Sequence, residues 1–175
     1  MCGTYFIDEV NRLSQELQRD YSDVNVITDT QKISQDHFER KLTKARDGQV
    51  GGACTLTYIG DHLLLIRDRD TPNVWSAPGG KREADESFTQ TAKRETYEET
   101  GVECRITGLA YIWRPILKNE QTGESLYRIW PFFESNSDDI NFSIQKSEII
   151  EAKLFSQLPE EVHYVLNDAE YSITK

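Results

Sequence analysis

Cysteine is scarce in this chain: Cys2, Cys54 and Cys104 are an odd, scattered set with no Cys-x-x-Cys pair. That spacing argues against a disulfide framework or a sulfur-ligated zinc site and fits reduced thiols. Long apolar runs are missing too, and nothing approaches the ~20 residues that a membrane-crossing helix requires. The first ten residues, MCGTYFIDEV, lack the basic and apolar regions of a secretory signal. A cytoplasmic protein without a membrane partner is therefore expected. Positive charge is in short supply: 20 Lys and Arg face 30 Asp and Glu, a net charge of -10 with a pI of about 4.8. This balance makes binding to nucleic-acid backbones an unfavourable prospect. It leaves room for a nucleotide whose charge is met locally by a metal and a few basic residues. Internal repeats and low-complexity tracts are also absent. Present are 175 residues, 37% of them hydrophobic, enough for one soluble domain with an appendage.

Chemistry concentrates in residues 80–102, GKREADESFTQTAKRETYEETGV. Pro78, Gly79 and Gly80 are chain breakers, so a loop is expected first. Ser87 to Thr100 contains no Gly or Pro and reads as a helix, with Gly101 as its C-cap. Glu86 stands at the helix start, the end of the dipole that favours a carboxylate. Phe88, Ala92 and Thr96 recur on one side and supply the buried face. Glu95 is three residues from Glu98 and four from Glu99, so all three are neighbours on the helix surface. Such carboxylates repel one another unless neutralised, and a hard divalent cation such as Mg2+ would do so through oxygen ligands. The bland reading is an acidic solvated helix in which Arg94 merely pairs with Glu95 at the surface.

The spacing of Gly80, Glu86, Arg94, Glu95, Glu98, Glu99 and Gly101 resembles the Nudix box, G-x5-E-x7-R-E-U-x-E-E-x-G-U, where U is bulky and apolar. Every fixed letter matches; of the apolar positions, Val102 fits and Thr96 does not. Chance agreement at this composition is on the order of one sequence in a million. The resemblance implies an α+β fold, an α/β/α sandwich with a mixed central sheet and the box as loop-helix-loop. It implies a Nudix domain over residues 49–175, behind a mainly helical N-terminal extension, residues 1–48. It further implies hydrolysis of a pyrophosphate bond, in a nucleoside diphosphate linked to another moiety or in a nucleoside triphosphate, by water attack on phosphorus. Mg2+ or Mn2+ would be held by Glu95, Glu98 and Glu99, with the Gly80 (or Gly79) carbonyl and Glu86 contributing to the metal shell. Arg94 would hold a catalytic carboxylate. Family members take the general base from the box or from outside it; Glu120, Glu148 and Glu151 are outside candidates, with Glu148 the first choice. The reading of a different class is a Nudix-fold module that senses a nucleotide without turning it over. The marks of particular subfamilies are missing: NVWSAPGG lacks Phe-Pro-Gly-Gly, and Pro115 falls short of the proline of ADP-ribose members. No substrate is chosen on this basis.

Elsewhere the patterning gives elements. Phe6, Val10, Leu13 and Leu17 suggest an amphipathic helix, residues 23–29 a short strand, and Ser34 caps a second helix with Phe38, Leu42 and Ala45 on one face. This opening segment is read as a packing or dimerisation element, which makes a homodimer a candidate partner, or as a substrate-selecting lid. Residues 50–59 and 62–67 form a hairpin through Gly60-Asp61. Residues 104–117 and 124–133 form a second hairpin, and 147–155 a further strand. Residues 157–168 are expected to form a last helix capped by Ser156, with Pro159 in its first turn. Trp75 is either core or a face for a nucleobase. Arg67 and Arg69 are candidate phosphate contacts beside Gly79 and Gly80.

Overall fold

The computed structural model describes residues 3–168. Its elements are β1 (Thr4–Tyr5), α1 (Ile7–Asp20), β2 (Asn25–Ile33), α2 (Gln35–Arg46), β3 (Gly52–Ile59), β4 (His62–Asp68), β5 (Gly79–Lys81), α3 (Phe88–Thr100), β6 (Arg105–Asn119), β7 (Ser125–Tyr127), β8 (Trp130–Asn136), β9 (Ile149–Phe155) and α4 (Tyr164–Asp168). The sheet runs β1-β7-β6-β8-β3-β4-β9, with β2 added to β6 and β5 to β3. It is mixed: β3 pairs parallel with β8, whereas β4 and β6 meet their neighbours β9 and β8 antiparallel. Among the described residues no helix is long and apolar enough to cross a membrane.

Residues 4–46 add β1 and β2 to this sheet and pack α1 and α2 against it. β2 runs parallel to β6 from Asn25–Tyr111 to Ile33–Asn119, longer than the short strand expected. Val10, Leu13 and Leu17 of α1 share a core with Ala53, Phe88, Ala92 and Phe133. On α2, Phe38, Leu42 and Ala45 pack with Leu117 and Leu126, and Ser34 caps its first turn as its sequence position suggests.

Three expectations need correction. Gly79 and Gly80 are not in a loop but in β5, paired with Cys54 and Ala53 of β3. A Cβ on Gly79 would lie 2.6 Å from the Cys54 Cα, so only glycine allows this close pairing. The strand expected over 124–133 breaks at Arg128 and Ile129 into β7 and β8. The last helix is only α4, and neither Ser156 nor Pro159 belongs to it. The backbone of Glu161 and His163 is used instead to bracket Trp75: Trp75 N donates to Glu161 O at 2.7 Å and His163 N to Trp75 O at 2.8 Å. Cys54 and Cys104 are free thiols, and Cys2 lies outside the described residues.

Candidate active site

α3 begins with a capping box, in which Ser87 and Gln90 exchange side-chain and backbone hydrogen bonds, and ends on Gly101 at φ 73°. One side of the helix is fixed to β3 by polar contacts. Thr96 is fully buried; its hydroxyl stands 2.7 Å from that of Thr55 and donates to Ala92 O at 2.8 Å. The threonine at a position that favours bulky apolar side chains therefore has its polar group satisfied.

The adjoining flank carries the acids. Arg94 is the hub. Its Nε and Nη2 grip Glu86 at 2.7 and 2.9 Å, its Nη1 reaches Glu95 at 2.8 Å and Glu98 at 3.0 Å, and Nη2 also donates to Lys81 O at 3.1 Å. Glu86 further accepts from the Thr91 hydroxyl and the Glu83 N–H, and the Arg94 fork holds its carboxyl well below the usual range. Glu86, expected in the metal shell, grips Arg94 with both of its oxygens. Glu99 is 7% exposed and accepts one hydrogen bond, from Gly79 N at 2.8 Å. Burial, reinforced by the charges of Glu95, Glu148 and Asp68, pushes its carboxyl up to about 8. Burial likewise raises Glu95, despite its contact with Arg94.

Glu95, Glu99, Gly79 and Gly80 line a cleft of about 530 Å3 together with Glu148 and Trp130. Of the three acids outside the box, Glu148 alone lines it; Glu151 pairs with Arg67 at 3.2 Å, and Glu120 follows the end of β6. Glu98 sits on the exposed rim, held by Arg94. Among the described residues no three His, Cys, Asp or Glu side chains are gathered into a ready-made metal cage. The donor set nevertheless fits a hard cation. Glu95 and Glu99 are oxygen donors in a setting whose burial disfavours their charge, and among the described residues Glu99 makes no ion pair. Gly80 also leaves space for them: a Cβ there would overlap the Glu95 carboxylate.

The expected substrate contacts fare differently. Arg69 lies on the cleft wall, but its guanidinium donates twice to Lys146 O, at 3.0 and 2.7 Å, and pins that loop. Arg67 lies over the Trp75 ring at 4.3 Å. Trp75 is 5% exposed, packs edge-on against Phe155 and belongs to the core, away from the cleft lining. The aromatic residue at the cleft is Trp130, whose ring covers Gly52. Sequence reasoning grouped it with strand aromatics; a glycine two residues before Cys54, leaving room for an indole, was the only hint.

The NUDIX domain model matches residues 50–171, and the chain belongs to that family. It is 42% identical over 64 residues to the zebrafish (Danio rerio) m7GpppN-mRNA hydrolase NUDT17, covering 34% of this chain and 21% of that protein. It is 30% identical over 81 residues to human (Homo sapiens) diphosphoinositol polyphosphate phosphohydrolase 2, covering 46% of this chain and 45% of that protein. The chain thus spans less than half the length of either relative. Among solved structures, the MutT protein of Methanosarcina mazei Go1 superposes with a TM-score of 0.54 at 22% identity, over 69% of this chain and 88% of that one. A NUDIX hydrolase from Nitrosomonas europaea gives 0.53 at 21% identity, over 69% and 66%. These two likenesses concern the fold.

Proposed function

We propose that the chain is a pyrophosphohydrolase. It cleaves a phosphoanhydride in a nucleoside diphosphate linked to another moiety, or in a nucleoside triphosphate, with Mg2+ or Mn2+. The observation that carries this reading is the pair of a partly buried Glu95 and a buried Glu99, lining one cleft with Glu148, Gly79 and Gly80.

Glu95 and Glu99 are the principal cation ligands, with Glu98 on the rim as the third carboxylate of the helix and the Gly80 carbonyl as a further oxygen. A bound divalent cation supplies charge neutralisation at the pyrophosphate and a more acidic water. Arg94 holds Glu95 in place, and Glu86 holds Arg94. Glu148 is the general base, accepting the proton of the attacking water as oxygen bonds to phosphorus and the anhydride oxygen leaves. Gly79 N–H fixes the orientation of the Glu99 carboxylate.

A panel of nucleoside diphosphate derivatives and nucleoside triphosphates, assayed with Mg2+, with Mn2+ and with EDTA, tests this. Turnover that requires the metal supports it. Tight binding of one member without turnover of any would instead favour a nucleotide-sensing module.

A further inference from the structure

Four cations from three parts of the chain converge beside the carboxylate cleft. Lys81, on β5, lines the cleft itself. The charge of Lys44, on α2, acts on Lys81 and disfavours its protonated form. Arg128, between β7 and β8, is 7% exposed; its Nε reaches Val50 O at 3.3 Å and its Nη2 reaches Gln49 O at 3.5 Å. Gln49 N in turn donates to Lys44 O at 3.0 Å, which links the end of α2 to the Arg128 guanidinium. Lys41 stands one turn earlier on α2, half-buried, within the field of Arg128, Lys81 and Lys44. Among the described residues none of the four makes an ion pair. Asp70 and Glu95 act on the group only from a distance.

Gathering four cations without a counterion is costly, the more so for a guanidinium nine-tenths buried and offered only two long contacts to carbonyls. In a chain of net charge -10 such a concentration does not follow from composition. An anion would neutralise it, and the adjacent cleft says where that anion comes from. Arg128 lies over the ring of Trp130 at 5.5 Å, and Trp130 shares the cleft with Lys81, Glu95 and Glu99. Lys41 and Lys44 precede the residues matched by the family model, so this feature draws on α2, outside the matched domain.

We propose that Lys41, Lys44, Lys81 and Arg128 form an anion subsite for a second phosphate group of the substrate, one remote from the anhydride that is cleaved. The substrate class is then a polyphosphorylated compound, carrying a further phosphate beyond the pyrophosphate on the metal. This rests on the hydrolytic reading above. It differs from it in assigning α2 a role in selecting substrate.

The first test is metal-free. Inorganic tripolyphosphate is titrated into the full chain in EDTA at low salt. Wild type should bind, the Lys41→Ala/Lys44→Ala variant at least ~10-fold more weakly, with a smaller dependence on salt. Glu148→Gln, which leaves the cluster intact, should bind at least as well as wild type. Absence of binding by wild type, or equal binding by the double lysine variant with its melting temperature unchanged, overturns the subsite. The second test is kinetic. Wild type should prefer, in kcat/KM, nucleotide substrates bearing an additional phosphate monoester, and the lysine variant should lose that preference; a preference that survives the variant contradicts the proposal. Failure of every substrate to turn over would remove the hydrolytic reading, while tripolyphosphate binding would still decide the subsite.

Discussion

The hydroxyls of Thr55 and Thr96 stand 2.7 Å apart in the buried seam between β3 and α3. They belong to a chain that runs from Ser135 through Thr57 and Thr55 to Thr96 and ends on Ala92 O. Thr96→Val would leave the Thr55 proton buried without an acceptor. That should cost about 1–3 kcal/mol, the scale of an orphaned polar group. Adding Thr55→Val should restore part of the loss. Chemical denaturation of the two variants checks this, and an unchanged single variant would contradict it.

Glu99 gives the metal-free protein a defined dependence on pH. Its carboxyl ionises near about 8 when folded, against an ordinary 4.5. The folded state therefore keeps a proton that the unfolded chain releases. The associated stability is fully present below the unfolded value and is lost as pH rises through about 8, by up to about 1.4 kcal/mol per pH unit. In EDTA, the melting temperature should fall between about pH 5 and about pH 8, and Glu99→Gln should flatten that fall. Divalent cation should restore most stability at the alkaline end, where the carboxylates are ionised. A wild-type profile no steeper than that of Glu99→Gln would sink the assignment.

Gly79 and Gly80 should behave differently although they are neighbours. A methyl on Gly80 meets the Glu95 carboxylate, the movable end of a side chain, whereas one on Gly79 meets the backbone of Cys54 at 2.6 Å. Gly80→Ala should keep the fold and weaken cation binding by roughly 10–100-fold, as loss of ligand support does. Gly79→Ala should lower the melting temperature. Calorimetric titration with Mn2+ and thermal melts separate the two.

The two tryptophans near the site should also part company. Trp75→Ala removes a core side chain and should cost ~3–5 kcal/mol with little change in the KM of the folded fraction. Trp130→Ala should raise KM several-fold, consistent with ~1–3 kcal/mol for stacking on a base. The reverse pattern would return the stacking role to Trp75.

Much of this site was legible in the sequence because its key residues are local. Helical spacing makes Glu95 and Glu99 neighbours without knowledge of the rest of the chain, although Glu98 stands exposed beside Arg94, and Gly101 ends the helix at positive φ as a C-cap glycine does. What depends on distant contacts was not legible. Trp75 is core because Glu161 and His163 bracket it from the far end of the chain, and those same hydrogen bonds cut the last helix short. Arg67 pairs with Glu151 and Arg69 with the Lys146 carbonyl, partners distant in the sequence. The basic cluster was hidden most completely, since Lys41, Lys81 and Arg128 share no sequence neighbourhood and meet only through β5 and the α2 terminus.

The most direct measurement is the turnover of Glu99→Gln at saturating Mg2+ or Mn2+, on whichever nucleotide the wild type hydrolyses. With the carboxylate replaced by a neutral amide of the same shape, kcat should fall at least ~100-fold, the scale of losing a key electrostatic element. The metal-free variant should remain folded and melt no lower than wild type at alkaline pH. Near-native turnover by a folded Glu99→Gln would contradict the placement of the hydrolytic centre in this cleft.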